Sequence, residues 1–176
     1  MKPTFLAFFL LATVWSSGEP LDAALQAKVE QKLAAIKSWG SDSAIIEGVR
    51  KHNAGLADGL KGLDNDKWKA IGGQDDLVRG LTRNAVAERL KALKDPTISE
   101  CFVSGADGKK VAFLSKTTSW SHAGKAKHEQ PMAGKIWIGP VEVDESSGVK
   151  QVQVAFPVLD GKAIGSVVVG LNLARL

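Results

Sequence analysis

Two histidines lie among lysines and tryptophans between residues 115 and 137. The side chains with the most chemical potential in this stretch are those of Trp120, His122, Lys125, His128, Lys135 and Trp137. Lysine and histidine donate charge-assisted hydrogen bonds to carboxylates, and tryptophan rings form apolar walls for small ligands. The connection from Ser115 to Ala133 is also long for a compact domain, as binding loops are. The stretch therefore predicts a ligand site whose donors suit a small organic anion.

The spacing of the same residues disfavours catalysis and metal binding. Ser119, Ser121 and His122 include a nucleophile and a base, but adjacent residues of an extended loop point to opposite sides. His122 and His128 lie six residues apart, which is not the spacing of two metal ligands on one helical face. A metal site completed by Glu129 is the alternative. Because the sequence also lacks a glycine-rich phosphate loop and a Gly-x-Ser-x-Gly elbow, it predicts a binding protein without a cofactor.

Charge and length point to one soluble domain. The 176-residue chain has 23 Lys and Arg against 19 Asp and Glu, a formal net charge of +4. Without Lys2, which lies in the leader described next, 22 basic residues face 19 acidic ones, a charge of +3. The lysines are dispersed rather than clustered with aromatic residues, so the sequence predicts no nucleic-acid partner.

Residues 1–18 have the pattern of a cleaved signal peptide. Lys2 supplies a basic start, Phe5 to Val14 form a short apolar run, and Ser16 and Gly18 supply small residues at a cleavage site. The apolar run is about half the length of a membrane span. We therefore expect residues 19–176 to form one periplasmic or secreted domain, with an uncleaved N-terminal anchor as the alternative.

A single cysteine, Cys101, excludes an internal disulfide and the two-cysteine attachment of c-type haem. Its apolar neighbours predict a buried, inert thiol in a strand, with a reactive thiol as the alternative.

The first half of the chain is expected to be helical. Apolar residues at helical spacing predict a long amphipathic helix from Leu21 to Trp39. Shorter segments follow around Ile45 and Trp68, with His52 expected at the surface. A second long helix is predicted from Asp75 to Leu93, ended by Asp95-Pro96.

Beyond Pro96 the periodicity changes to that of strands. The pattern predicts five strands, at Ile98–Ser104, Lys109–Leu114, Gly134–Val143, Gln151–Phe156 and Ala163–Leu171. The fourth strand alternates, which predicts one buried and one wet face, and Pro157 is expected to end it. The last strand is apolar almost throughout, as a central strand covered on both faces would be.

The chain resembles Cache (PDC-type) extracytoplasmic sensor domains over roughly residues 21 to 173. The most specific matching pieces are Ile136-Trp137-Ile138-Gly139 and the segment from Pro157 to Leu173. The resemblance implies an α+β, PAS-like fold, in which a five-stranded antiparallel sheet is backed by a long N-terminal helix and further helices. It also implies a small-molecule site between the sheet and the loop of residues 115–133.

The loop departs from the pattern of amine-binding relatives, because it lacks their acidic groups. Ser119-Trp120, Ala123-Gly124 and His128 stand at those positions. The remaining residues favour a small carboxylate held by His122, Lys125, Lys127, His128 and Lys135, with Trp120 and Trp137 beside it. The alternatives are that Lys125 and Lys127 face solvent and that Trp137 belongs to the core.

Two function classes follow from the resemblance. The first is an exported ligand-binding sensor that signals through a separate membrane receptor or kinase. The second is an interaction scaffold, or a homodimer formed through the N-terminal helix, that keeps the fold without a ligand. Exposed apolar positions on that helix would favour the second class, and a closed cavity lined by Trp120, His128 and Lys135 would favour the first.

Overall fold

The computed structural model describes residues 21–144 and 148–176. The predicted signal peptide, its cleavage site and residues 145–147 of a predicted turn lie outside the described residues. The described chain forms one antiparallel sheet with the strand order β2-β1-β5-β4-β3. The strands are β1 Ile98–Gly105, β2 Lys110–Phe113, β3 Trp137–Val143, β4 Lys150–Asp160 and β5 Lys162–Asn172. The predicted five-stranded α+β fold is therefore confirmed.

Six α-helices accompany the sheet in the described part of the chain. They are α1 Ala23–Ile36, α2 Ser43–Ala54, α3 Asn65–Ala70, α4 Asp76–Arg83, α5 Ala85–Leu93 and α6 Ala126–Met132, with 3-10 helices at Lys37–Ser41 and Asp58–Leu60. The long N-terminal helix is confirmed. It begins at Asp22, whose carboxylate accepts a hydrogen bond from the Leu25 amide at 2.7 Å.

One face of the sheet packs against α1, α2 and α5. Helix α1 buries Val29, Leu33 and Ile36 there, and β5 contributes Val167 and Val169. Each of these side chains is at most 6% exposed, so each contributes about 1.5 to 3 kcal/mol of hydrophobic stabilisation. This face holds the larger core. Cys101 lies in it as predicted, and burial raises the pKa of its thiol above the ordinary value.

The opposite face is covered by α3, α4, α6 and the segment before α6. For this reason β4 has no wet face, and Gln151, Gln153 and Ala155 are buried. The prediction that Pro157 ends β4 is also wrong, because Pro157 pairs with Ser166 of β5 and the strand continues to Asp160. Strand β3 pairs with β4 only as far as Ala155, so Pro157 lies where β4 has one open side and a missing N–H is tolerated.

The single long helix predicted from Asp75 to Leu93 is in fact two helices separated by Asn84. The Asn84 side-chain oxygen accepts a hydrogen bond from the Ala87 amide at 2.9 Å and caps α5. Its side-chain amide donates to the Val111 carbonyl of β2, also at 2.9 Å. A short polar side chain competes with helical backbone bonds, which is why Asn favours a cap over a helix interior.

Replacing Asn84 with Ala is expected to lower the free energy of unfolding by about 1 to 2 kcal/mol, because both hydrogen bonds are lost. Asn84→Asp keeps the capping acceptor and removes the donor, so its loss should be smaller. Urea unfolding followed by circular dichroism measures both. An Ala variant as stable as the wild type would contradict the bridging role of Asn84.

Candidate functional site

The segment from Ser115 to Ala133 closes over polar side chains on one face of the sheet. Its last part, α6, packs on β3, β4 and β5. We call the residues enclosed here the polar cluster: Glu100, Ser104, Lys110, His122, Lys127, His128, Gln151, Gln153 and Ser166. Of the seven residues predicted from the sequence, His122, Lys127 and His128 belong to this cluster.

Strand register places three side chains of the polar cluster side by side across β2, β1 and β5. Lys110 of β2 pairs with Ser104 of β1, and Ser104 pairs with Ser166 of β5, so the three side chains stand in one row on one face. His122 contacts the Lys110 Nζ through its Nδ1, and the His128 Nδ1 lies 2.8 Å from the Ser166 Oγ. The covering segment thus places one histidine at each end of the row.

Lys110 is fully buried, which is rare for a lysine without an anionic partner. Its Nζ lies 3.5 Å from the Ser104 Oγ and 3.9 Å from the centroid of the Phe102 ring, on which His122 also stacks. Within residues 21–144 and 148–176 it has no carboxylate at salt-bridge distance. Burial, together with the charge of Lys127, holds the Lys110 pKa well below its usual range.

The other half of the polar cluster is a network of amides and one carboxylate. The Glu100 Oε1 accepts hydrogen bonds from the side-chain amides of Gln151, at 2.8 Å, and Gln153. The Lys127 Nζ donates to the Gln153 Oε1 at 2.8 Å. Gly170 leaves room for this network, because a Cβ at Gly170 would lie 2.3 Å from the Gln151 Oε1 and 2.7 Å from the Glu100 Cγ.

The other four predicted site residues lie outside the polar cluster. Trp120 is fully buried with its ring 5.3 Å from that of Trp68, and its Nε1 has no hydrogen-bond partner among the described residues. Trp137, half-buried on β3, packs against the same apolar group. Lys125 and Lys135 flank α6 and are exposed. The structure therefore does not bring together the predicted set of Trp120, His128 and Lys135.

Sequence reasoning missed Lys110 and the Glu100 network. Lys110 lies in the predicted strand Lys109–Leu114, but a register shift between Val103 and Ser104 decides which face of the sheet it occupies. This irregularity puts Lys110 on the same face as Phe102 and Phe113, and Val111 in the larger core.

Burial makes both histidines of the polar cluster poor bases. Burial, followed by the charge of Lys110, lowers the pKa of His122 to about 2. Burial also lowers the pKa of His128, against a raising effect of its hydrogen bond to the Ala106 carbonyl. Both imidazoles are therefore neutral at pH 7, and each offers one N–H donor and one acceptor nitrogen.

These two pKa shifts predict that the domain loses stability as the pH falls from 7 to 5. The unfolded chain takes up protons at its histidines near pH 6.5 whereas the folded chain does not, so acid favours unfolding. Each histidine contributes at most about 1.4 kcal/mol per pH unit. For Asp95 and Asp107, hydrogen bonds outweigh burial and lower the pKa of each carboxyl, so these groups change the free energy of unfolding only below about pH 5.

The control for this pH effect is the double variant His122→Gln/His128→Gln. Its free energy of unfolding, measured with urea at pH 7, 6 and 5, should fall less steeply with acid than that of the wild type. Equal slopes for the two proteins would show that other groups cause the pH dependence.

A separate cavity of about 370 Å³ lies near β2, between α2, α5 and residues 55–60. Its wall includes His52, Leu56, Leu60, Leu81, Val86 and Val111, and none of the sequence-predicted site residues. The expectation that His52 lies at the surface is wrong. Its side chain is 7% exposed, and its Nε2 lies 3.1 Å from the Asp107 Oδ1.

Within residues 21–144 and 148–176, no three His, Cys, Asp or Glu side chains are grouped so that they could hold a metal ion. No helix in these ranges has the length and apolar character needed to cross a membrane.

Comparison with known proteins gives a match in fold and none in sequence. No family model and no curated protein matches the chain. The sensor domain of the histidine kinase DctB from V. cholerae aligns with a TM-score of 0.50 and 14% identity, covering 85% of this chain and 52% of that domain.

Two chemoreceptor domains align less well. The sensory domain of Campylobacter jejuni Tlp3 with isoleucine bound has a TM-score of 0.44 and 13% identity, covering 85% of this chain and 56% of that one. The ligand-binding domain of the Pseudomonas aeruginosa amino acid chemoreceptor PctC in complex with GABA has a TM-score of 0.38 and 16% identity, with 84% and 63% covered.

The present chain thus spans about half the length of the DctB sensor domain. At 14% identity the likeness establishes the fold alone. The fold implied by the sequence resemblance is confirmed.

Proposed function

We propose that this chain, which has the fold of Cache (PDC-type) sensor domains, is an extracytoplasmic sensor that binds a small organic anion, a carboxylate, at the polar cluster. One observation carries the proposal: Lys110 is fully buried beside a neutral imidazole and has no carboxylate at salt-bridge distance among the described residues.

A buried lysine without a counter-ion costs the folded protein free energy, because its charged form is desolvated. An anion that enters the polar cluster removes this cost and gains charge-assisted hydrogen bonds. The donors available to it come from Lys110 and His122 and from the Ser104 hydroxyl in the same row, whereas the single N–H of neutral His128 already donates to the Ala106 carbonyl. Trp120 adds an indole N–H that has no other partner in the described chain.

An amine ligand is disfavoured by the acceptors present. Glu100 is the one carboxylate of the polar cluster as defined, and two side-chain amides already donate to it. Lys127 lies beside the same network and would repel an ammonium group.

The domain is further proposed to pass its signal to a separate membrane protein. The DctB domain is the sensor of a histidine kinase. By analogy, the present domain signals through a membrane receptor or kinase and is not itself an enzyme. The outward face of α1 carries alanines, glutamines and charged residues, whereas its large apolar side chains face the core. Helix α1 therefore lacks the exposed apolar positions that would favour the alternative of a scaffold or homodimer formed through it.

A thermal-shift screen of the protein tests the proposal. Acetate, lactate, pyruvate and succinate are compared with amino acids and with simple amines. A carboxylate at about one hundred times its Kd should stabilise the domain by nearly 3 kcal/mol, which raises Tm by roughly 5 to 10 °C. Amines should leave Tm unchanged. A shift with amines alone would contradict the site, and no shift with any compound would favour the scaffold.

A further inference from the structure

We propose that Lys110 forms a reversible imine with the carbonyl carbon of a small 2-oxo acid bound in the polar cluster. The inference rests on the proposed function and narrows the ligand from carboxylates in general to carboxylates that carry an adjacent ketone.

The surroundings of Lys110 suit a nucleophilic amine. A lysine attacks a carbonyl only when its Nζ is unprotonated, and desolvation without an acidic partner favours that form. Lys110 is desolvated in this way, since it is enclosed by the Phe102 ring, the His122 imidazole and the Ser104 hydroxyl. The opposing charge of Glu100 is outweighed by burial and by the charge of Lys127. Lys127, by contrast, is partly exposed and donates to the Gln153 carboxamide.

The reaction exchanges one water for the ligand and involves no oxidant or reductant. Lys110 passes one proton through the Ser104 hydroxyl to the ketone oxygen, and the lone pair freed on Nζ attacks the ketone carbon to give a carbinolamine. A second Nζ proton follows the same route to the hydroxyl group of the carbinolamine. Water leaves and a C=N bond remains.

The carboxylate of a 2-oxo acid adjoins its ketone, so it must be held close to the Nζ. Its donors are the Ser104 hydroxyl on β1, which pairs with Lys110, and the N–H of His122, whose ring contacts the Lys110 Nζ. The charge on the carboxylate also stabilises the protonated imine nitrogen beside it.

Entry requires the segment that carries His122 to move away from the sheet. Its links there include the single bridge between Lys109 and Ser121 and the hydrogen bond from the His122 amide to the Gly108 carbonyl at 2.9 Å. The Thr117 carbonyl, which accepts from the Trp68 Nε1 at 2.7 Å, and the Ser121 amide, which donates to the Asn65 Oδ1 at 3.0 Å, also hold the segment, so its opening must break these bonds as well.

Trapping of the imine with cyanoborohydride tests the inference in the wild-type protein. Protein incubated with pyruvate at neutral pH is reduced with cyanoborohydride, and intact mass and peptide mapping locate the adduct. We expect one adduct per chain, with the mass of pyruvic acid less one oxygen atom, at Lys110. Lactate, which has a hydroxyl in place of the ketone, should give no adduct.

Two variants serve as matched controls. Lys110→Met should lose the adduct, and Lys135→Met, which removes an exposed amine outside the polar cluster, should keep it. An adduct spread over surface lysines, or reversible binding of pyruvate without any adduct at Lys110, would overturn the inference and leave the proposed function intact. Failure of pyruvate, lactate and every other carboxylate to bind would overturn both.

Discussion

Replacing Lys110 with Met is expected to stabilise the domain by about 1 to 3 kcal/mol and to weaken carboxylate binding more than about 30-fold. The gain in stability arises because Met fills a similar volume without a charge to desolvate, although one hydrogen bond to His122 is lost. The loss of binding follows from removing a buried charged donor, which is worth at least about 2 kcal/mol.

The stability gained by Lys110→Met should depend on pH, and the direction of this dependence can be derived from the lowered Lys110 pKa. Because the pKa of Lys110 in the folded protein lies below its ordinary value of 10.5, the unfolded chain holds the proton at neutral pH more firmly. The cost to the wild type is therefore present at pH 7 and disappears as the pH rises toward 10.5. Urea unfolding at pH 7 and pH 10 should show a Met variant whose advantage shrinks at the higher pH.

Lys135→Met is the control for both effects. Lys135 is exposed and lies outside the polar cluster, so its removal should change stability and binding little. A Lys110→Met variant that is less stable than the wild type, or that binds carboxylates normally, would contradict the assigned role of Lys110.

Replacing Trp68 with Ala is expected to destabilise the domain by about 3 to 5 kcal/mol, which lowers Tm by roughly 6 to 20 °C. The Trp68 ring is fully buried and packs edge-on against Phe113 and at a tilt against Trp120. Its Nε1 also donates to the Thr117 carbonyl at 2.7 Å, which ties α3 to the segment over the polar cluster. The variant should therefore weaken carboxylate binding as well.

Two substitutions separate the parts of this effect. Trp68→Phe keeps most of the buried ring and removes the hydrogen bond to Thr117, so its cost should be nearer 1 kcal/mol. Trp137→Ala makes the same truncation at a half-buried position and should cost clearly less than Trp68→Ala. Calorimetry measures all three, and equal losses at Trp68 and Trp137 would contradict the central position of Trp68.

The strands could be predicted because their side-chain periodicity and turn residues are local. The apolar run of β5 identified the central strand, and Asp107-Gly108 and Asp160-Gly161 marked two hairpins. Local signals did not reveal the boundary at Asn84, since the apolar stripe continues across it. The cap on α5 and the bond to β2 that stop the helix depend on a strand 27 residues away in the sequence.

The candidate site depended on contacts that no local pattern shows. His122 and His128 could be selected by residue type, and Trp120 by its place in the loop. Lys110 could not, because a register shift sets its face, and the burial of Gln151 and Gln153 follows from packing of α6 over β4. An alternating strand indicates a wet face only when nothing else in the chain covers it.

The most direct test of an anion site at the polar cluster is an NMR titration of the histidine rings. The chain has three histidines, and His52 lies in the wall of the separate cavity near β2, where it serves as an internal control. With uniformly ¹⁵N-labelled protein and increasing pyruvate or succinate, the account predicts saturable shifts of the His122 and His128 ring nitrogens and none at His52. Unchanged rings at His122 and His128, or a shift confined to His52, would contradict it.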